Sequence, residues 1–360
     1  MRVLVTGSHG YIGSVLVPIL QAQGHTVVGL DADFYAGCDF LGSPTEIERI
    51  DEDVRDVQAA TLRGFEAVLH LAALSNDPLG NLDPALTDQI NHAASVRLAR
   101  LAKEAGVPRF VFTSSCSIYG AAGDRLADEQ SPFNPVTAYG RTKALADRQI
   151  ALLADDHFSP IFLRPATAYG VSPRLRLDVV LNELVALACT TGRIVLKSDG
   201  TPWRPVTHVE DIAGAFAAVI TAPLEAVHGQ AFNVGRTDEN YRIRDLAQIV
   251  QETVPGSTVE IASGAGPDTR CYRVDFDKLP RRVPGFRPRW TVRQGARQLY
   301  GAYREAGLTA ADLEGPRYYR LRALRQRLEA GQMNPDLRRA SSSLYLPFDA
   351  ELPSMEKTTA

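Results

Sequence analysis

Short apolar runs alternate with segments of helical periodicity through the first 165 residues, and this alternation narrows the fold more than any other feature of the chain. VLVTG is followed by a helical pattern to Gln23, then TVVGLD, a helix near 57–63, AVLHLAA, a helix near 84–105, RFVFTSS, a helix near 138–153, and PIFLRPA. The apolar runs are unbroken by polar residues, as strands buried on both faces are. The pattern therefore predicts a parallel sheet covered by helices on both sides. We read an α/β, doubly wound (Rossmann) fold. Pro18 falls inside the first helical pattern and should bend or loosen it.

After residue 170 the alternation loosens. DVVLNELVALA and HVEDIAGAFAAVITA read as helices and QAFNVGR as a strand, with the polar KSDGTPWRP between the two helices. This back-and-forth predicts a smaller, interleaved second domain. Residues 1–165 and 206–236 would form the larger domain, and 166–205 with 237–305 the smaller. Residues 306–360 form an appendage whose one clear element is the basic amphipathic helix PRYYRLRALRQRLEAG. That helix has two readings, a surface for anions or a solvated helix anchored by Leu321, Leu324 and Leu328. The aperiodic end, SSSLYLPFDAELPSMEKTTA, reads as extended or mobile.

Charge excludes several classes of partner. Thirty-nine basic against 42 acidic residues give a net charge of −3, so no broad basic field awaits nucleic acid or an anionic membrane. A small molecule fits better. No stretch approaches the roughly 20 apolar residues of a membrane span, and MRVLVTG enters a strand without the pattern of a signal peptide. Cys38, Cys116, Cys189 and Cys271 show no CxxC spacing, and the seven histidines are dispersed. The expectation is a soluble, cytoplasmic protein with neither a disulfide framework nor a structural metal.

TGSHGYIGS, directly after the first strand, places Gly7, Gly10 and Gly13 before a helix that opens around Tyr11 and Ile12. Glycines there let the chain turn tightly and let a pyrophosphate approach the backbone at a helix N-terminus. The second strand ends in Asp31, an acid suited to an adenosine ribose and repelling to a 2′-phosphate, which favours NAD over NADP. Two further strand ends point to the same edge. EDVRD offers Asp53 and Val54 to an adenine, and HLAAL offers Leu71, Ala72 and Ala73, where a backbone could approach the cofactor. His70 reads as a satisfied histidine at a strand end.

TAYGRTKA contains Tyr139 and Lys143 one helical turn apart on one face. A phenol that titrates at about 10 is a poor base at neutral pH. A nearby ammonium and a cationic nicotinamide would lower that value, and a hydroxyl from a neighbouring strand end could share the proton.

With these residues in place the sequence resembles the extended short-chain dehydrogenase/reductases, specifically the nucleotide-sugar epimerases and dehydratases. Over roughly residues 1–300 the motifs TGSHGYIG, DVRD, HLAA, TSSCSIYG, YGRTK, LRPATAYG, RPVTHVEDIA and FNVG stand in the family's order. The resemblance implies NAD in the larger domain, a nucleoside diphosphate sugar in the smaller, and a catalytic triad of Ser115, Tyr139 and Lys143. It implies that Asn91 supports the cofactor end, and that Arg204 meets the substrate diphosphate, unless it is spent on Glu210 or Asp211. Asp268 and Arg270 would close over the phosphates. Thr167 stands where epimerases usually carry an Asn against substrate, and the substrate set further takes in Asn182. Ser75, Asn76 and Asp77 would bind sugar hydroxyls or cap a helix beginning near Pro84. A homodimer is implied by analogy.

The two positions after Ser115 discriminate within the family. Dehydratases carry Asp-Glu there, or at least the Glu, and the related decarboxylases usually keep the Glu. Here stand Cys116 and Ser117. The resemblance then implies an NAD-dependent epimerase, most simply at C4. A ketoreductase, a dehydratase using an unfamiliar acid such as Asp77, and a non-catalytic NAD-binding protein are the alternatives.

Overall fold

The computed structural model describes residues 1–263, 266 and 270–340. Seven strands form one parallel sheet in the spatial order Ala231–Val234, Ser159–Pro165, Arg109–Thr113, Ala67–His70, Arg2–Thr6, Thr26–Leu30 and Glu48–Ile50. From the strand at residues 2–6 the chain winds outward to 48–50, then returns to lay 67–70 on the other side. The switch point therefore lies between the strands at 2–6 and 67–70, and a doubly wound sheet leaves its ligand crevice at the carboxyl ends there.

Alternate residues of each strand feed opposite faces. Val3 and Val5 pack with Leu16, Val17 and Phe216, whereas Leu4 packs with Leu98, Phe110 and Phe112 on the reverse. The helix Gly13–Ala22 spans Pro18 unbroken. Burial of Leu16, Val17 and Leu20 against the helix Val209–Thr221 outweighs the single backbone hydrogen bond that proline removes.

Smaller sheets complete the chain. Trp203–His208 lies between Thr167–Tyr169 and Asn240–Arg242, so the polar KSDGTPWRP segment runs into a strand. Arg193–Leu196 pairs with Thr258–Ile261. The helices Val180–Thr191, Ile243–Thr253 and Val292–Glu305 enclose their own core of Leu181, Val185, Leu246, Val250 and Leu299. Cys271–Val274 pairs with Ala121–Ala127 and so stitches the two halves together.

The C-terminal appendage is not a solvated helix. Arg320–Glu329 lies against the large unit, with Leu324 fully buried beside Leu74 and Leu79, and Leu321 and Leu328 packed at the edge of that cluster. Arg320 and Arg327 are themselves buried, which no amphipathic pattern predicts. The tail expected to be extended or mobile lies outside the described residues.

His70 shows how tightly the strand ends are held. It is fully buried, with Nδ1 2.7 Å from Thr6 Oγ1 and Nε2 2.8 Å from Ser95 Oγ. Ser95 donates its proton to Asn91 O, so it accepts from Nε2–H, and Thr6 donates to Nδ1. Burial, with a smaller contribution from Lys143, holds this imidazole neutral, down to about 3. An unfolded histidine takes up a proton below about 6.5, which the folded one refuses, so stability is complete above that pH and falls as pH drops towards 3. The slope from this group approaches about 1.4 kcal/mol per pH unit. Thermal unfolding between pH 6.5 and 5 should show a falling midpoint, and a His70→Gln variant should flatten that slope.

Candidate active site

One cavity of about 970 Å³ runs along the carboxyl edge of the large sheet and into the smaller unit. Its first half is built by the glycine-rich turn. Gly7 sits at φ +72°, and a Cβ there would stand 2.8 Å from Ala72 N, so the turn closes only with glycine. Gly7, Gly10, Tyr11, Ile12 and Gly13 all line the cavity, as do Asp53, Val54, Leu71, Ala72 and Ala73. The Tyr11 ring points away from the groove into the protein, where its hydroxyl donates to Gly170 O at 2.6 Å.

Asp31 lines the same wall. Its carboxylate accepts from His9 N at 2.8 Å and Asp33 N at 2.7 Å, one bond to each oxygen, and burial together with Asp33 pushes it up. A carboxylate oxygen has a second lone pair, so a ribose hydroxyl can still donate to it. The neighbouring cation Arg49 is spent on Asp33 and Asp51. Asn91 sits below, fully buried, accepting from Leu74 N at 2.8 Å and donating to Leu74 O at 2.9 Å. The helix around it takes a π-turn over Gln89–Ala93. Asn91 thus pins the strand end and does not touch the cavity.

The hydroxyl-rich TSSCSIYG turn forms the floor. Thr113, Ser114, Ser115 and Ser117 all line the cavity, and the hydroxyls of Thr113, Ser114 and Ser117 are buried with no partner among the described residues. Buried polar groups normally find partners. Three such orphans beside a glycine cradle and an acid fit a dinucleotide with a polyhydroxylated second ligand. Cys116 behaves differently: its thiol turns inward, lies 3.1 Å from Arg164 O as a donor, and is pushed up by burial. Gly120 closes the turn at φ +58°, where a Cβ would fall 1.8 Å from Asn134 O.

Tyr139 and Lys143 lie on the helix Ala138–Ala151, capped by Thr137 Oγ1, which accepts from Gly140 N. Lys143 is buried, with Nζ donating to Thr113 O at 2.8 Å and lying 4.8 Å from the centre of the Phe112 ring. Burial lowers it to about 7. The Tyr139 ring opens onto the cavity but lies deep in the protein, and that depth pushes its phenol up to about 12, while a hydrogen bond from Ser115 works the other way.

In the other half of the cavity, Thr167, Arg204 and Arg270 line the wall with Tyr272. Arg204 lies 5.9 Å from the Tyr272 ring centre and donates to Trp203 O at 2.8 Å. Asp211 accepts from Arg289 N and Trp290 N, and Glu210 from Trp290 Nε1. Arg270 forms an ion pair with Asp77 across the cavity mouth. Ser75 accepts from Arg176 Nη1 at 3.0 Å.

Two expectations change here. Asn76 caps the short helix Asp77–Gly80 through Leu79 N, and the cap at Pro84 is Asp83, which accepts from Ala85 N and Leu86 N. Asn182 does not line the cavity at all. It is fully buried, its Oδ1 accepts from Gly170 N, and its Nδ2 donates to Arg176 O, so it braces the loop behind the wall. Asp268 lies outside the described residues. Among the wall residues that the sequence reading did not name are Arg176, Tyr319 and Arg320.

Among the described residues no group of histidine, cysteine and acidic side chains could hold a metal ion, and no helix is long and apolar enough to cross a membrane.

The model of the NAD dependent epimerase/dehydratase family matches residues 3–235. The chain belongs to that family. A UDP-glucose 4-epimerase of Mycolicibacterium smegmatis is 30% identical over 305 residues, covering 82% of this chain and 96% of the relative. UDP-glucuronic acid decarboxylase 2 of Arabidopsis thaliana is 26% identical over 318 residues, covering 85% of this chain and 68% of the relative. Among solved structures, the Thermus thermophilus UDP-glucose 4-epimerase in complex with NAD superposes with a TM-score of 0.72 at 26% identity, covering 85% of this chain and 100% of that one. The family's cofactor is NAD, and the glycine cradle, Asp31 and the orphan hydroxyls fit it.

Burial acts on both groups, lowering Lys143 to about 7 and raising Tyr139 to about 12. Between about 7 and about 12 the pair holds one proton fewer than at acid pH, either as phenol with amine or as tyrosinate with ammonium. That one-proton state can accept a substrate proton, so the rate should rise with pH through about 7 and then level. Lys143→Met leaves only the phenol, moving the rise towards about 12 and lowering the rate at pH 7.5 by about 10²–10⁴-fold. A rate–pH profile of both proteins checks this.

Proposed function

We propose that the protein is an NAD-dependent nucleotide-sugar epimerase that inverts carbon 4 of its sugar. The observation that carries the reading is what stands beside Ser115. A dehydratase or decarboxylase needs a further acid or base near the sugar ring, and here the next two positions hold an inward-turned thiol and a hydroxyl. The cavity's carboxylate closest to that role, Asp77, is engaged by Arg270. Epimerisation needs neither.

When bound, NAD supplies a reversible two-electron acceptor. The chain's own residues do the rest. Tyr139 takes the proton of the sugar 4-hydroxyl as that carbon is oxidised, and returns it on reduction. Ser115, whose Oγ also accepts from Ser117 N at 3.1 Å, shares that proton and keeps the hydroxyl aimed at Tyr139. Lys143 balances the charge that builds on the phenol. Arg204 suits the substrate diphosphate, since a guanidinium matches a phosphate's paired oxygens. With the sugar held by its diphosphate tail, a 4-keto ring is free to turn and present its other face. The intact hydroxyl, phenol and ammonium set supports an enzyme over a simple dinucleotide sensor, which would need no base.

Incubation of the protein and NAD with UDP-, dTDP-, GDP- and CDP-hexoses and with the corresponding hexuronic acids, followed by NMR of the products, tests this. One nucleotide sugar should give its C4 epimer without net reduction of NAD. A 4-keto-6-deoxy product, or a pentose formed by loss of the carboxyl group, would contradict it.

A further inference from the structure

The match to the mycobacterial relative takes up 96% of that protein but only 82% of this chain, so part of this chain has no counterpart there. Residues 316–340 have a definite place. They form a strap tied to both halves of the molecule. Leu177 N donates to Tyr318 O at 2.9 Å, Arg317 donates to Asp39 O, Arg327 to Phe34 O and Ala36 O, and Arg55 to Asp336 O. Tyr319, Arg320, Leu321 and Arg322 enter the wall of the active-site cavity.

Arg320 is the unusual member. It is 2% exposed, its guanidinium lies 4.1 Å from the centre of the Tyr35 ring, and Nη2 donates to Arg174 O at 2.8 Å. Nη1 is buried with no hydrogen-bond partner, and no carboxylate pairs with the guanidinium, among the described residues. The contrast with its neighbours is sharp. Arg174 is paired with Asp33 and Asp39, and Arg176 with Asp178. Arg327, two turns along the same helix, gives its donors to Phe34 O, Ala36 O and Gln332 Oε1. A buried charge without a counterion is costly, and an anion in the cavity would offset that cost.

We infer that the C-terminal strap carries Arg320 into the cavity as a ligand for the diphosphate of the bound dinucleotide. Its surroundings favour this diphosphate over that of the nucleotide sugar. Tyr35, whose ring faces Arg320, follows Asp31 by four residues, and Arg174, whose carbonyl Arg320 holds, pairs with Asp33. Arg204 and Arg270 belong to the other half, around Tyr272 and Asp77. The guanidinium adds a full positive charge to the partial charge of the helix N-terminus at Gly13 and encloses the cofactor from a second element. The inference rests on the assignment of NAD and is indifferent to which nucleotide-sugar reaction follows.

The test measures affinities of NAD, ADP-ribose, adenosine and UDP for the nucleotide-stripped full chain and for Arg320→Met. NAD and ADP-ribose should each bind at least tenfold more weakly to the variant, with adenosine and UDP changed less than twofold. Because methionine removes an unpaired buried charge, the ligand-free variant should melt at or above the wild-type temperature while its stabilisation by NAD shrinks. Arg320→Lys, which keeps the charge, should recover part of the ADP-ribose affinity, and it decides the matter if the methionine variant does not fold. Unchanged NAD and ADP-ribose affinity in a folded variant would overturn the inference. So would a loss that falls on UDP, which would assign the guanidinium to the substrate's diphosphate, or an equal loss for adenosine, which would mark a structural role only.

Discussion

Lys143 is a fully buried amine, and the candidate site is arranged around the cost of charging it there. Its hydrogen bond is to a carbonyl, Thr113 O, at the last residue of a central strand, and the Phe112 ring offers its face from the same strand. Neither partner carries a full negative charge, so burial pulls the amine down to about 7. The same depth raises the Tyr139 phenol one turn away. Burial disfavours the charged form of each, so at neutral pH the phenol keeps its proton while the amine can lose one. If Arg320 meets the cofactor as proposed, the cavity holds a second buried basic group, for a ligand to complete.

Holding that lysine requires the strand, the turn after it and the helix Ala138–Ala151 to stay in register. A buried network beneath the turn does this. Arg164 grips Asp147 of the helix through Nε and Nη2 at 3.1 and 2.9 Å, and its Nη1 reaches the Tyr119 hydroxyl. Tyr119 donates to Asn233 Oδ1 at 2.8 Å, and Glu129 accepts from Asn233 N at 2.7 Å. Three separate motifs, Tyr119-Gly120, Leu163-Arg164-Pro165 and Phe232-Asn233-Val234, are thereby one structure. Breaking any member leaves buried polar groups unpaired, which costs more than the bond itself.

The large sheet was legible because its cause is local: strands buried on both faces must be apolar throughout, and the intervening helices carry their own period. Tyr139 and Lys143 were legible because helical spacing puts them on one face, and Gly7 because a cradle needs it. What escaped has a different cause. Asn182 looks like a substrate ligand from its place in an apolar helix, yet its direction is set by loops 6 to 12 residues away that no periodicity describes. Likewise TSSCSIYG cannot reveal which hydroxyls face the cavity, since a 3₁₀ turn over Cys116–Tyr119 sends the thiol inward and Ser117 to the wall. Arg320 is the plainest case. A basic amphipathic helix reads equally as an anion-binding surface or a solvated one until tertiary contacts bury two of its arginines.

The central claim is that this cavity oxidises one sugar carbon and reduces that same carbon, with Tyr139 moving the proton and no further acid or base taking part. The most direct test follows deuterium placed at carbon 4 of the accepted nucleotide sugar through turnover in ordinary water, with product read by NMR and mass spectrometry. The account predicts a C4-inverted product with the deuterium still on carbon 4. A label found on carbon 6, or lost to solvent during turnover, would contradict it.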